Sequence, residues 1–384
     1  MKILLLAPHP FFEERGTPIA VKLLLETLAA EGHRIDVLTY GVGRDVSIPG
    51  VTMHRIPRLP GVRSVRAGFS LKKVLCDIVL AVQARRMART GAYDGIHAVE
   101  ESVFIARWLR RRARLGYVFD MDSSMPLQMA ERFPFLRFAL PVMEIFERMA
   151  VRDAALVVPM CESLAERARR FGARDVAVLH DIPLLEPAAP GRAETLRLEW
   201  RVSNICFLYV GNLEPYQGVD LLLDAYTRLL AVRTDTTLLI AGGPPAVAAR
   251  YRRKAEAAGI GRFVHFLGPW PLQKLGEILE TATVLVSPRL YGTNTPMKIY
   301  SYLASGKAIL ATRITAHMQV LTPEVAMIRV PEARAFAEGM ERLAENPALR
   351  ETLGRNAQAL VRERYCLSAF RERIVAAYSR MGAR

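Results

Sequence analysis

Short apolar runs alternate with longer amphipathic segments along this chain, and the alternation predicts strands and helices in turn. The first predicted strand covers residues 2–8, a loop follows over residues 9–18, and a helix runs from about Ile19 to Glu31. The next predicted strand covers residues 34–40. A β-α-β unit at the start of a chain indicates a parallel, doubly wound sheet.

The alternation returns in the second half of the chain, after a stretch without periodicity. Residues 183–191 are rich in proline and are best explained as a linker. Further strands are predicted to end near Val210, Ile240, Trp270 and Val286. Later helices are predicted near residues 332–345, 347–363 and 368–380. We therefore predict an α/β protein with two Rossmann-like domains, residues 1–186 and 187–366, and a C-terminal helix over residues 367–384.

Length and composition fit this organisation. At 384 residues the chain suits two domains of about 180 residues each. No signal peptide is recognised, because Met1 and Lys2 lead directly into the first strand, and no apolar run reaches the ~18 residues of a spanning helix. Scattered cysteines without CxxC spacing indicate reduced residues of a cytosolic protein and no zinc site: Cys76, Cys161, Cys206 and Cys366.

The net charge of +15 predicts an acidic partner. Basic and apolar residues are mixed mainly in the first half, over residues 55–73, 85–89, 107–114 and 132–141. Each cluster alone fits a solvated helix face. Together they predict a surface that rests on anionic lipid headgroups, at about 1 kcal/mol per basic residue. Nucleic acid is not the predicted partner, because no helix-turn-helix, RNP or zinc-finger signature accompanies the charge.

The stretch from Ser287 to Lys307 is the most informative one for chemistry. It follows a β-branched run and predicts a small polar loop and then a helix, with Thr295 as its cap, Pro296 at its first position and Gly306 at its end. Backbone N–H groups at such a helix start attract anions, usually phosphate. Lys298 in the first turn adds a positive charge, so we predict a diphosphate site. An ordinary crossover helix is the alternative.

Residues 295–312 resemble the donor-site signature of retaining nucleotide-sugar glycosyltransferases of glycosyltransferase family 4. The resemblance implies the GT-B fold, in which two Rossmann-like, doubly wound parallel-sheet domains face a central cleft. It also implies that the N-terminal domain binds the acceptor and the C-terminal domain binds the donor. In the family this stretch usually carries two glutamates, and the matching positions here are Thr293 and Ser301.

Residues 205–220 resemble the second donor motif of the family, whose arginine and lysine commonly hold the diphosphate. Asn212 and Gln217 stand at those two positions, so backbone N–H groups and Lys298 are expected to carry more of the binding. The resemblance also assigns Gly16 and Thr17 to a loop that approaches the donor. The donor-binding residues expected from the resemblance are Gly16, Thr17, Gly211, Asn212, Gln217, Leu267, Gly268, Thr293, Asn294, Thr295, Pro296, Lys298 and Ser301.

Polar residues follow two predicted strands of the first half and give the catalytic candidates. His97 is followed by Glu100, and the next strand leads to Asp122, which stands where the family often has a histidine close to the reacting sugar. Ligands of open α/β sheets bind outside the carboxyl ends of strands, so both loops are expected at one site. Each residue also has a structural interpretation: His97 as an interior histidine, and Asp120 or Asp122 as a helix cap.

These observations predict a retaining glycosyltransferase that uses a nucleoside-diphosphate sugar as co-substrate, without cofactor or metal. The expected acceptor is a lipid-linked or cell-envelope glycan. The expected location is the cytoplasm, with peripheral contact between the basic N-terminal domain and anionic lipid at the inner face of the cytoplasmic membrane. Because four charged positions of the family differ, the alternative is a non-catalytic GT-B scaffold or sensor protein of an envelope polysaccharide system.

Overall fold

The computed structural model describes residues 1–13, 16–62, 65, 70–113, 115–183 and 185–382. The chain divides into two compact units. Unit 1 contains Met1–Asp181 and the C-terminal segment from Ser368, and unit 2 contains Ile182–Leu367. Parts of the predicted basic surface, residues 63, 64, 66–69 and 114, lie outside the described residues, as does residue 184 of the predicted linker.

One parallel sheet forms the centre of unit 1, and its six described strands have the order β3-β2-β1-β4-β5-β6. The strands are β1 (Lys2–Ala7), β2 (Arg34–Thr39), β3 (Val51–Arg55), β4 (Gly95–Val99), β5 (Tyr117–Met121) and β6 (Leu156–Pro159). The helices that precede unit 2 are α1 (Gly16–Ala30), α2 (Leu71–Thr90), α3 (Val103–Ala113), α4 (Met125–Arg132), α5 (Leu140–Asp153) and α6 (Glu162–Arg170). Short 3-10 turns cover Glu100–Ser102 and Pro134–Ala139.

Unit 2 repeats this plan, and its six described strands have the order β12-β11-β10-β7-β8-β9. They are β7 (Ile205–Val210), β8 (Thr236–Ala241), β9 (Val264–Gly268), β10 (Val284–Ser287), β11 (Ala308–Thr312) and β12 (Met327–Arg329). The helices are α7 (Arg192–Glu199), α8 (Val219–Leu230), α9 (Pro245–Ala257), α10 (Leu275–Thr281), α11 (Met297–Ser305), α12 (Thr315–Met318), α13 (Ala333–Glu345) and α14 (Pro347–Arg364). The last helix, α15 (Leu367–Gly382), lies almost wholly in the segment that belongs to unit 1.

The central strands are apolar throughout because helices cover both faces of each sheet. In β1, residues 3–7 are all buried, and in β8 every residue is buried. Apolar clusters on the two faces of the unit 2 sheet contain Phe207 and Leu208, neighbours that point to opposite sides of β7. These central strands therefore do not alternate between buried and exposed residues, as a half-exposed strand would. The parallel sheets predicted from the sequence are confirmed.

The start of α1 differs from the prediction. The sequence placed Gly16 and Thr17 in a loop and began the helix near Ile19, whereas α1 begins at Gly16. The first turn of a helix has no N–H partners within the helix, so Pro18 fits there without loss of a hydrogen bond. Thr17 thus lies in the first turn of α1.

The strand orders place a topological switch between β1 and β4 in unit 1, and between β7 and β10 in unit 2. Chain connections leave the two neighbouring strands in opposite directions there, which opens a crevice at their carboxyl ends. The loops after these strands are therefore the positions to search for function in each unit.

Candidate functional site

Two loops of unit 2 meet at its topological switch, one after β7 and one after β10. The backbone N–H of Leu290 donates to the carbonyl oxygen of Tyr216 at 2.9 Å. The ammonium of Lys298 donates to Oε1 of Gln217 at 3.1 Å, and the guanidinium of Arg289 lies 5.2 Å from the ring centroid of Tyr216. These contacts bring together the two sequence stretches that resemble donor motifs.

Glycines allow the close approach of the two loops. Gly218 has a φ of 73°, and a Cβ built on it would lie 2.0 Å from the carbonyl oxygen of Pro288. At Gly211, with a φ of 152°, a Cβ would lie 3.1 Å from Nζ of Lys298. A side chain at position 218 would thus be both conformationally strained and in collision with the neighbouring loop.

The start of α11 corrects one sequence prediction. The helix begins at Met297, and Pro296 is the N-cap residue with an extended backbone (φ −67°, ψ 132°) and no side-chain cap. Thr295 is therefore one residue too early to cap the helix. Its side chain is 1% exposed, and its Oγ1 has no hydrogen-bond partner among the described residues. The prediction that Gly306 ends the helix is confirmed, since its φ is 71°.

Lys298 is the cation at this helix start. Its ammonium lies 4.1 Å from the ring centroid of Tyr209, in addition to its bond to Gln217. Burial, and then the positive charge of Arg289, lower the pKa of Lys298 well below its usual range. A bound anion would oppose both effects and restore the charged amine. The site is thus electrostatically prepared for a negatively charged ligand.

The other expected donor residues of unit 2 are placed around these loops. Asn212 uses its Oδ1 to accept the N–H of Glu214 at 3.3 Å, and the hydroxyl of Thr293 donates to Asn294 at 3.1 Å. Ser301 is 4% exposed, one turn into α11. Leu267 and Gly268 end β9, and the carbonyl oxygen of Gly268 accepts the N–H of Gly242, where a Cβ would lie 2.1 Å from the carbonyl oxygen of Gly211. Their role in donor binding stays a prediction.

Arg289 was missed by the sequence analysis. It comes two residues after the end of β10, and its guanidinium donates to the carbonyl oxygens of Tyr291 at 2.9 Å and Asn294 at 3.1 Å. A charged residue directly after a β-branched run, just before the glycine and asparagine of the same loop, was the available signal.

In unit 1 the polar residues at the strand ends form an acidic cluster. Glu100 follows β4, and Asp122 follows β5, its neighbour in the sheet. Asp181 reaches the same edge because residues 176–179 run beside β6. Asp181 is 9% exposed and was also missed, since no periodic pattern surrounds it. The hydroxyl of Thr17, at the start of α1, hydrogen-bonds to Asp122.

Burial and mutual repulsion favour the protonated forms of this cluster. Burial, and then the negative charge of Glu101, raise the pKa of Glu100 to about 7. The pKa of Asp122 is raised well above its usual value by burial and by the charges of Asp120, Glu100 and Asp181. Burial, and then Asp120, raise the pKa of Asp181 to about 7. Near neutral pH the cluster therefore shares protons rather than carrying its full negative charge.

His97 borders this cluster through Asp120. It is fully buried, Nδ1 hydrogen-bonds to the hydroxyl of Tyr378 at 2.6 Å, and Nε2 hydrogen-bonds to Oδ2 of Asp120 at 3.0 Å. With both ring nitrogens engaged, His97 has the contacts of the interior histidine that the sequence left as the alternative, and its catalytic role stays a prediction. Neither Asp120 nor Asp122 is the N-cap residue of α4, because that position is Ser124.

Comparison with known proteins identifies the class. A family model described as "Glycosyl transferase 4-like domain" matches residues 15–181, and one described as "Glycosyl transferases group 1" matches residues 197–360. The two matches cover most of the chain, and the fold is GT-B. The chain belongs to the group 1 (family 4) glycosyltransferases and is a nucleotide-sugar-dependent glycosyltransferase.

Several characterised relatives and solved structures resemble the chain over nearly its whole length. It is 23% identical to alpha-D-kanosaminyltransferase of Streptomyces kanamyceticus (95% of this chain, 99% of that protein). It is 25% identical to phosphatidyl-myo-inositol mannosyltransferase of Mycobacterium leprae (91% and 89%). Among structures, sucrose-phosphate synthase from Thermosynechococcus elongatus has a TM-score of 0.81 at 19% identity (100% and 99%). Anabaena Alr3699/HepE in complex with UDP has a TM-score of 0.77 at 17% identity (99% and 100%).

Proposed function

We propose that this protein transfers a sugar from a nucleoside-diphosphate sugar bound by unit 2 to an acceptor bound by unit 1. The anomeric configuration of the sugar is retained, and no metal ion or cofactor takes part. The observation that carries the proposal is the start of α11, where Lys298, uncapped N–H groups and the unpartnered hydroxyl of Thr295 lie together. These groups fit a diphosphate, which offers several acceptor oxygens and a negative charge.

The chemistry follows from the charge that develops on the leaving group. As the bond between the sugar and the diphosphate breaks, negative charge grows on the phosphate oxygens, and Lys298 and the helix start stabilise it. With retention, the acceptor hydroxyl can lose its proton to the leaving phosphate, so no protein base is needed. Lys298 and backbone N–H groups thus supply what a metal ion would otherwise provide.

In this proposal Asp122 orients the acceptor hydroxyl or steadies the positive charge of the reacting sugar. Its raised pKa suits this task, because a neighbouring positive charge favours the ionised carboxyl. The negative charge of Asp122 would therefore be largest when the sugar is most oxocarbenium-like. Glu100 and Asp181 would hold part of the shared proton. No protein nucleophile is required.

The acceptor is proposed to be a lipid-linked or cell-envelope glycan, reached by peripheral contact of unit 1 with an anionic membrane. Two relatives support this, since their names describe mannosyltransferases of phosphatidyl-myo-inositol. Unit 1 also exposes large apolar side chains beside exposed arginines. On α2 the exposed apolar residues have helical spacing on one face: Leu71, Val74, Leu75, Ile78 and Val82. No helix among the described residues is long and apolar enough to cross a membrane.

A nucleotide screen tests the proposed donor site. Thermal-shift and calorimetric titrations with UDP, GDP, ADP and their sugar conjugates are expected to find one nucleotide family that binds. A ligand at 100 times its dissociation constant adds about 2.7 kcal/mol of stability. Lys298→Ala should lose this binding, and addition of EDTA should leave it unchanged in the wild-type protein.

Lys254→Ala is the matched control, because Lys254 is an exposed lysine of unit 2 on α9, paired with Asp220. It should bind the nucleotide as the wild-type protein does. If none of the nucleotides binds, the non-catalytic scaffold or sensor becomes the better description. If EDTA abolishes binding, the metal-independent proposal is wrong.

A further inference from the structure

We propose that Arg289 binds the donor diphosphate and, together with Lys298, replaces the arginine and lysine that the family pattern has at positions 212 and 217. This inference rests on the donor site proposed for unit 2. It assigns a binding role to a residue that belongs to neither family motif as the sequence presents them.

The charge of the two loops motivates the assignment. Asn212 and Gln217 carry no charge, so a diphosphate between these loops must be balanced from elsewhere. From Ser287 to Gly306 the chain has no Asp or Glu, and its two cations are Arg289 and Lys298. Arg289 lies on the β10–α11 connection and Lys298 in the first turn of α11, whereas the family pattern places its cations on the loop after β7. The positive charge of this chain therefore follows β10, on the other side of the topological switch from β7.

Packing fixes the guanidinium of Arg289 in this place. Two of its N–H groups donate to backbone carbonyl oxygens of its own loop, and Cζ lies over the ring of Tyr216, 5.2 Å from its centroid. Gly292, with a φ of 131°, makes room for it, since a Cβ there would lie 2.2 Å from Nη2. An arginine held in this way is pre-organised and loses little side-chain freedom when it binds a phosphate.

Electrostatics connect Arg289 to the start of α11. Its charge is among the causes that lower the pKa of Lys298, and also that of the buried His317. Two neighbouring cations of which one is buried repel each other in the absence of a ligand. A diphosphate removes this repulsion and also offers an acceptor to the buried Thr295 hydroxyl. Arginine stays protonated throughout, so its charge does not depend on burial, whereas burial lowers the pKa of Lys298.

The test compares nucleoside diphosphate with nucleoside monophosphate, using the base identified by the screen. Arg289→Gln is expected to weaken diphosphate binding by about 10- to 100-fold, as expected for hydrogen bonds to a charged group. The monophosphate should lose less, because it presents fewer oxygens and less charge. Arg233→Gln removes the same charge in the loop that follows α8, where Arg233 pairs with Asp235, and should change neither affinity.

Arg289→Lys tests whether Arg289→Gln acts only by disrupting the loop. Lysine keeps the positive charge but lacks the planar guanidinium group. It should retain a clear preference for diphosphate over monophosphate. The proposal is overturned if Arg289→Gln binds diphosphate within about twofold of the wild-type protein while Lys298→Ala does not bind. That result would leave the donor site intact and remove only Arg289 from it. Absence of nucleotide binding by the wild-type protein would instead reject the donor site itself.

Discussion

The acidic cluster of unit 1 consists of carboxyl groups, whose negative charge is opposite in sign to the net charge of the chain. Glu100 has a φ of 49°, an uncommon backbone conformation for a residue with a side chain, and directs its carboxyl toward Ser123, which donates a hydrogen bond at 3.4 Å. Several buried or half-buried acids kept together in a strongly basic protein lower its stability near neutral pH. Such groups are retained where function needs them, which is consistent with the proposed catalytic edge.

Glu100→Gln tests whether the clustered acids lower the stability of the protein. The pKa of Glu100 is about 7 in the folded protein and about 4.5 when unfolded, so the wild-type protein loses stability as pH rises through this interval. Glutamine removes the charge and keeps the acceptor for Ser123. The variant is therefore expected to be more stable at pH 8 by about 1–3 kcal/mol, with little difference near pH 4. Melting temperatures at both pH values measure this.

Glu162→Gln on α6 is the control, since this carboxylate is 53% exposed in the same unit. It should change the melting temperature little at either pH. An unchanged melting temperature of Glu100→Gln at pH 8 would show that the buried carboxyl is not under electrostatic strain.

At the scale of the elements, periodicity and glycines predicted far more than side-chain partners. The start of α8 at Val219 and the bounds of α13 and α14 followed from apolar spacing, which local sequence determines. One partner of His97, Tyr378, lies 281 residues away on α15, and no local pattern encodes that contact. The Thr295 cap failed for another reason: it depended on the backbone angles of Pro296, which the sequence does not specify.

The close contact between the β7–α8 and β10–α11 connections leads to a prediction about two glycine-to-alanine variants. Gly218 and Gly259 have φ angles of 73° and 74°, but a Cβ at Gly259 would meet nothing within 4 Å. Gly259→Ala should therefore cost only the left-handed backbone penalty, about 1–2 kcal/mol. Gly218→Ala adds the collision with Pro288, so it should cost more and also weaken diphosphate binding. Chemical denaturation and calorimetry measure the two effects.

The comparison separates backbone strain from the contact between the loops. Equal losses in stability, with unchanged diphosphate affinity in both variants, would mean that the close approach at Pro288 does not shape the site.

For the whole molecule, the charge of +15 and the exposed apolar residues of unit 1 have to be explained together. Besides the face of α2, unit 1 exposes a second apolar set around α5, with Arg137 and Arg148 also exposed there: Phe135, Phe138, Val142, Ile145 and Phe146. Nucleic acid would account for the charge but not for these apolar residues. A membrane surface with anionic headgroups accounts for both.

Flotation with liposomes tests this surface. The protein should co-float with phosphatidylglycerol vesicles much more than with phosphatidylcholine vesicles, and less at high salt, because basic residues and headgroups attract each other. Replacing Ile78 and Phe138 by serine should reduce flotation, since both are exposed, at 57% and 81%. The matched control replaces Leu198 and Val232 of unit 2, which are 80% and 70% exposed, and should float as the wild-type protein does. Salt-sensitive DNA binding without flotation would reject the membrane surface and leave the exposed apolar residues of unit 1 for another partner.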